Sequence, residues 1–444
     1  MVEIIAFVVV ISVMIFAHEA GHLVAAKAAG VRVLRFSFGF GKVLASFTWR
    51  GTQYAVSLIP LGGYVKMAGG EESEGTGAPD EFLSRPRWVR MLIYLAGPAM
   101  NVVLAVLLYA VVAKVGFTVV TGPSRIAEVV PTLEVEGKAV PSPASRAGFR
   151  PGDVVIAVNG KPAPYWYDMT RVVYASPGKP VAFDLKRDGR PVRLTATPVL
   201  DAELGIGVLG LIMYQDNRVF YVDKKGAAAA AGVVAGDTLA TLDGRPVPSF
   251  NAFLGAVRDL PPGAHTVTFA GRGGEKRVVI RGGGAVEEVA RVLGVGCGLV
   301  SVKRTSSWAG MLPAGCRETW ETAGHIVRGI AWVIKGKVKV TRALGGPVSM
   351  ALYAGETARI GVASFLSFMA ALSTMLAMLN LLPVPLMDGG QVAITAVEAV
   401  RRRELSPAAR GVLTYVGLAV IGMLLVLALF GDANLVVRRL HGGW

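Results

Sequence analysis

The stretch IIAFVVVISVMIFAHEAGH, Ile4 to His22, decides how this chain is read. Ile4 to Ala17 carries no charge and, with Leu23 to Ala26, is long enough to cross a bilayer as a helix. HEAGH then sets His18 and His22 four residues apart, on one helix face, the spacing that clamps a zinc ion. Glu19 lies between them, placed to take a proton from a water activated at the metal. Ionisable side chains inside a span are costly and mark functional sites. A zinc motif on a membrane helix points to hydrolysis in or beside the bilayer.

The rest of the composition fits such a setting. The chain has 444 residues, 53% of them hydrophobic, and a mean hydropathy of +0.52. That is too apolar for a soluble enzyme and implies a polytopic membrane protein with water-exposed domains. Four segments are long enough to span: Val2 to Ala26, Met91 to Val115, Val362 to Leu382 and Val412 to Phe430. The net charge of +15 comes without any basic-aromatic module, so lipid and not nucleic acid is the expected partner. Lys27, Arg32, Arg35, Lys42, Arg50, Lys66, Arg85, Arg87 and Arg90 separate the first two segments; Arg401, Arg402, Arg403 and Arg410 separate the last two. The positive-inside rule puts both loops in the cytoplasm, and both termini and the long middle segment outside. Glu3 and the lack of a small-residue cleavage site argue for a retained first span, not a signal peptide. Cys297 and Cys316 give no disulfide framework and no CxxC site; free thiols are expected, with one disulfide as the alternative.

Between the first spans, Val33 to Met67 alternates apolar residues with turns and reads as short strands, a hairpin-rich sheet at the membrane surface. Ala68 to Pro79 is rich in Gly and Glu and reads as a loop. The middle segment repeats itself. PASRAGFRPGDVVIAVNGKP (143–162) matches AAAAAGVVAGDTLATLDGRP (227–246), with Gly148/Gly232, Asp153/Asp237, Gly160/Gly244 and Pro162/Pro246 each 84 residues apart. So long a period signals two tandem domains. Each has a short helix, a Gly turn, Gly-Asp, a strand and an Asn-Gly or Asp-Gly turn, an α+β pattern that resembles PDZ domains. The expected division is 1–115, a membrane core with the HExxH helix; 122–198 and 204–283, the two PDZ domains; 300–345, amphipathic interfacial helices; and 346–444, the C-terminal membrane core. Trp308 to Ile334 carries too many charges for a fifth span and reads as an amphipathic helix on the outer membrane face. His265, His325 and His441 lack ligand-like spacing; the first reads as a strand or loop residue and the second as an amphipathic-helix residue.

A catalytic zinc needs a third protein ligand and an open position. No third His follows HEAGH closely, and the best candidate is Asp388 in NLLPVPLMDGG, Asn380 to Gly390. Pro383 and Pro385 break the helix there, letting Asp388 turn inward on an irregular turn ended by Gly389 and Gly390. At ~1.5 Å per residue, His18 lies about 21 Å into the first span and Asn380 about 27 Å into the third. Both spans run inward, so both sites reach the cytoplasmic side of a ~30 Å core and can meet.

These residues resemble the site-2 protease family, the zinc intramembrane metalloproteases of peptidase family M50, and in particular its RseP-like bacterial members with two tandem PDZ domains. The resemblance rests on HExxH in the first span, FGFG (38–41), PLGGYVKM (60–67), RPRWVRMLIYLAGPAMN (85–101), the repeat, GPVSMALYAGE (346–356) and NxxPxP…DGG, in order along nearly the whole chain. It implies His18, His22 and Asp388 as zinc ligands, Glu19 as the catalytic glutamate and Asn380 beside the substrate carbonyl. Met387 stands where Leu is usual, a volume-conserving change, and Gln391 where His is frequent; neither position is a ligand.

A helical substrate must unwind before attack, and an enzyme edge strand can take over its backbone hydrogen bonds. Gly62, Gly63, Tyr64 and Val65 are assigned that task, with Pro383 and Pro385 also beside the substrate. The implied biology is regulated intramembrane proteolysis at the bacterial inner membrane. The active site would lie near the cytoplasmic side and the PDZ domains in the periplasm, where they would take extended peptides or C-termini. Substrates would be single-pass membrane proteins of the anti-sigma type, cleaved in an envelope stress response. The alternatives are a non-catalytic PDZ scaffold, which leaves His18, Glu19, His22 and Asp388 without purpose, and a peptidase of signal-peptide remnants.

Overall fold

A computed structural model describes residues 2–70, 76–135, 138–201, 205–336 and 345–440. The described chain divides into two compact units, one formed by 1–117 with 304–444, the other by 118–303.

The first unit is built on helices. In chain order they are α1 (Val2–Ala28), α2 (Arg87–Val115), α3 (Trp308–Ile334), α4 (Pro347–Ile360), α5 (Val362–Asn380), α6 (Asp388–Arg401) and α7 (Pro407–Leu440). Among the described residues, four helices are long and apolar enough to cross a membrane: α1, α2, α5 and the 408–433 part of α7. Their outward faces leave Ile4, Ile5, Leu107, Val362, Val412, Val426 and Phe430 exposed, as a lipid-facing belt requires. Inward, Val10 and Met14 of α1 pack on Met369 of α5, with Leu104 and Leu108 of α2 alongside. α3 is absent from those four, and it packs against α2: Gly315 abuts Val106 and Ala110, and the Tyr109 and Thr322 hydroxyls are 3.1 Å apart. The expected helices at 300–345 resolve into this one helix, a strand at Val300–Arg304, and residues 337–344, which lie outside the described set.

Between α1 and α2 the chain forms one antiparallel pair of long strands, β1 (Val33–Trp49) and β2 (Thr52–Met67), in place of the several short strands expected. The apparent breaks are bulges. Gly39 (φ 89°), Gly41 (φ 83°) and Gly62 (φ 142°) sit where the register shifts, so the ladder bends without ending. Of the Gly- and Glu-rich loop, residues 71–75 lie outside the described set.

The second unit holds two four-stranded sheets. Four-stranded sheets form in the same order twice: Lys161–Pro162, Val154–Val158, Val181–Arg187, Arg190–Ala196, then Arg245–Pro246, Thr238–Leu242, Gly263–Gly271, Gly274–Gly282. The aspartate of each Gly-Asp pair has a structural task. Asp153 accepts from Arg150 N–H and pairs with Arg187; Asp237 accepts from Val234 N–H and pairs with Lys276. Each repeat extends further along the chain than expected. Leu211–Met213 pairs with Ile126–Val129 and Leu209 lies in the first core, so 206–213 packs with the first repeat, not the second. The second core takes in Val289, Leu293 and Cys297, beyond 283. Strands that pair across a long excursion leave no local signal of where a domain closes. His265 is a strand residue whose Nδ1 lies 2.6 Å from Asp243. His325 lies on α3.

Candidate metal centre

α1 runs unbroken through HEAGH, so His18 and His22 face the same side, their Nε2 atoms 3.2 Å apart. α2 crosses that face closely because two glycines permit it. A Cβ on Gly21 would overlap the Ala96 carbonyl, and one on Gly97 would press into both imidazoles. His22 is buried, and its Nδ1 lies 2.8 Å from the Ile93 carbonyl of α2. That bond places the proton on Nδ1 and leaves Nε2 as a lone pair.

Asp388 arrives from the other end of the chain. α5 stops at Asn380, and residues 381–387 form a tight turn containing Pro383 and Pro385, with Leu386 held at φ 79°. A bulky residue with positive φ is strained, and such strain gathers at functional sites. The turn ends at Asp388 itself, the first residue of α6; Gly389 and Gly390 do not end it but open the helix. They are small because α6 folds back onto the turn: a Cβ on Gly389 would meet the Leu381 carbonyl, and one on Gly390 that of Val384. Gly417 of α7 closes on Pro385 in the same way. Buried Glu398 near the end of α6 accepts from Leu405 N–H and from Arg410, tying α6 to α7.

The carboxylate lands beside the imidazoles: Asp388 Oδ2 is 3.1 Å from His18 Nε2, and Oδ1 is 3.5 Å from His22 Nε2. One donor atom from each of the three residues falls within 4.8 Å of the others. Zinc–ligand bonds of about 2.05 Å in a tetrahedron put the ligand atoms roughly 3.3 Å apart; the imidazole nitrogens are 3.2 Å apart and each lies 3.1 or 3.5 Å from its own oxygen of the Asp388 carboxylate, a spacing that suits a zinc ion held by the three side chains.

Glu19 is half-buried and accepts a hydrogen bond from Val65 N–H of β2, while Gly63 of β2 lies so close that a Cβ there would be 3.3 Å from Glu19 Cγ. The strand assigned to substrate is thus hooked to the assigned catalytic carboxylate. Tyr64 stacks on Phe40 and accepts from Arg35. Gly62 leaves room for the Phe40 ring. Asn380, the last residue of α5, is half-buried, and its side chain makes no hydrogen bond with a described residue.

Sequence reading passed over the part played by α2. Ile93, Gly97 and Asn101 all meet the two histidines: the Asn101 amide is 3.1 Å from His18 Nδ1. The available signal was LAGPAMN itself, a glycine and an asparagine four residues apart on an apolar span, hence on one helix face.

Two histidines and a carboxylate converging on one point, with the non-ligand carboxylate of Glu19 beside them, make the donor set of a hydrolytic zinc centre. Comparison with known proteins gives the same class. The pattern of Peptidase family M50 matches residues 6–424. A Treponema pallidum protein whose name assigns it as a zinc metalloprotease is 31% identical over 98% of this chain and 99% of its own length. The regulator of sigma-E protease RseP of Salmonella typhimurium is 30% identical over 96% of this chain and 97% of its own. The chain belongs to peptidase family M50, the site-2 proteases. It is an integral membrane zinc metalloprotease that works by intramembrane proteolysis.

Proposed function

We propose that the protein cleaves a peptide bond in or near the transmembrane segment of single-pass membrane proteins of the anti-sigma type. The site would lie toward the cytoplasmic side of a bacterial inner membrane. The observation that carries this is the triangle of His18, His22 and Asp388 on spanning helices, with Glu19 fastened to an edge strand. Relatives that include the regulator of sigma-E protease support the substrate class.

His18, His22 and Asp388 hold the zinc, which when bound polarises the scissile carbonyl and the attacking water. Glu19 takes the proton of that water on its carboxylate and passes it to the departing nitrogen. Asn380 hydrogen-bonds the substrate carbonyl or its neighbouring backbone. The stretch Gly62 to Val65 of β2 pairs with the unwound substrate, and Pro383 and Pro385 wall the other side. Because Val65 N–H already belongs to Glu19, pairing falls to the remaining edge groups of the strand.

The two repeats act as extracytoplasmic PDZ domains that screen peptides or C-termini. In the first, a cavity of about 290 Å³ between helix Trp166–Tyr174 and strand Leu211–Met213, lined by Trp166, Met169, Val173 and Leu211, suits an apolar side chain. Purified protein should carry zinc and cut a model transmembrane substrate. Glu19→Gln should keep the metal and lose activity by about 10²–10⁴-fold. An active Glu19→Gln protein would overturn the assignment.

A further inference from the structure

Asn101 of α2 is fully buried, and its side-chain Oδ1 has no hydrogen-bond partner. Its amide nitrogen is the atom facing His18 Nδ1, at 3.1 Å. The two ends of an asparagine amide have nearly the same shape, so its orientation is settled by what the neighbour needs. A neutral imidazole that offers Nε2 to a metal carries its proton on Nδ1 and needs an acceptor there. Turning the amide over puts Oδ1 at that position.

We infer that Asn101 is the positioning residue of His18: its amide oxygen accepts from Nδ1–H and holds the Nε2 lone pair toward His22 and Asp388. His22 is held in the same manner by the Ile93 carbonyl, eight residues earlier on the same helix. The support extends one shell further. Buried Ser373 of α5 donates its hydroxyl to the backbone carbonyl of Asn101 at 2.8 Å, joining α2 to the helix that leads into the Asp388 turn. α2 therefore orients both imidazoles and is fixed to the span that delivers the third ligand. Asn101 touches neither metal nor substrate; it acts through the ring of His18.

This rests on His18 being a zinc ligand, and the test separates the two ideas. Full-length protein in detergent would be titrated for zinc against a chromophoric chelator, and the visible spectrum of its cobalt(II) form recorded. Asn101→Ala should weaken zinc on the order of 10–100-fold and alter the cobalt bands. Asn101→Asp, which keeps an acceptor, should bind within about threefold of the parent with its bands retained. Parental affinity in Asn101→Ala, or an Asp variant that loses metal as badly as the Ala variant, would overturn the inference. If Asn101→Ala does not fold, the Asp variant alone decides. A His18→Ala protein that binds zinc as well as the parent would remove the ligand assignment itself, and the inference with it.

Discussion

Gly97→Ala probes how closely α2 must approach the metal centre. The added methyl would lie 2.6 Å from His22 Cε1 and 2.8 Å from His18 Cε1, and closer still to His22 Nε2, where ordinary contact needs 3.4–4 Å. Relief of the tightest of these contacts requires the rings or the helix to shift by about 1 Å, and a displacement of that size at a reacting centre can cost about 10²-fold. We expect cleavage of a transmembrane substrate to fall by about that factor, with a loss of zinc affinity on the order of tenfold. The fold should survive, since alanine favours a helix by about 1 kcal/mol over glycine. Gly422→Ala on α7 is the matched control, because nothing lies within 4 Å of its added carbon. The assay pairs zinc titration with cleavage in detergent and a thermal melt. A Gly97→Ala protein with parental activity and zinc would refute the close-approach argument. So would one whose activity loss is matched by a collapse of the melt, because the defect would then be one of folding.

Other groups give independent checks. Burial pushes the Cys297 thiol up to about 12, whereas Cys316 is exposed, so a maleimide at neutral pH should label Cys316 and spare Cys297 until the protein unfolds. In the second repeat, the hydrogen bond to Asp243 raises the His265 imidazole above its usual range, and the same bond, with Thr266 N–H, holds the Asp243 carboxyl below its own. The histidine's contribution is complete below about pH 6.5 and fades as pH rises through its raised value; the aspartate's is complete above about pH 4 and fades as pH falls through its lowered value. The gap in melting temperature between parent and His265→Gln should therefore be widest near pH 5–6 and close in alkali; a gap independent of pH would count against the ion pair. Asp432 of α7 is buried and accepts from Gly346, Val348 and Ser349 N–H and from the Ser349 hydroxyl at the start of α4. Asp432→Ala should cost about 1–3 kcal/mol, seen as earlier melting, with zinc content intact.

What the sequence made legible was whatever depends on short spacing. The imidazoles four residues apart, the apolar runs of the spans and the 84-residue repeat are all local patterns, and the helices and the two matching sheets follow them. The long β1–β2 pair was misjudged because glycines that bend a ladder at bulges carry the same local signal as glycines that end one. The repeats' closing strands were missed for the opposite reason. Leu211–Met213 pairs with Ile126–Val129 more than eighty residues away, and no window along the chain contains both.

The glycines after Asp388 show where motif reading stops and packing begins. In the sequence, PLMDGG looks like a turn that frees an aspartate, and freedom would serve a ligand poorly. In the fold, the turn precedes the aspartate, and Gly389 and Gly390 are where α6 closes on the carbonyls of Leu381 and Val384. The missing side chains thus purchase rigidity: α6 starts hard against the turn, α7 presses on Pro385 at Gly417, and Glu398 with Arg410 locks the far end. Gly21 and Gly97 do the same between α1 and α2. A zinc site whose ligands lie at opposite ends of the chain depends on such contacts, because no local backbone geometry relates His18 to Asp388. Each of these glycines should therefore tolerate alanine less well than the contact-free Gly411, although alanine is the better helix former at every one.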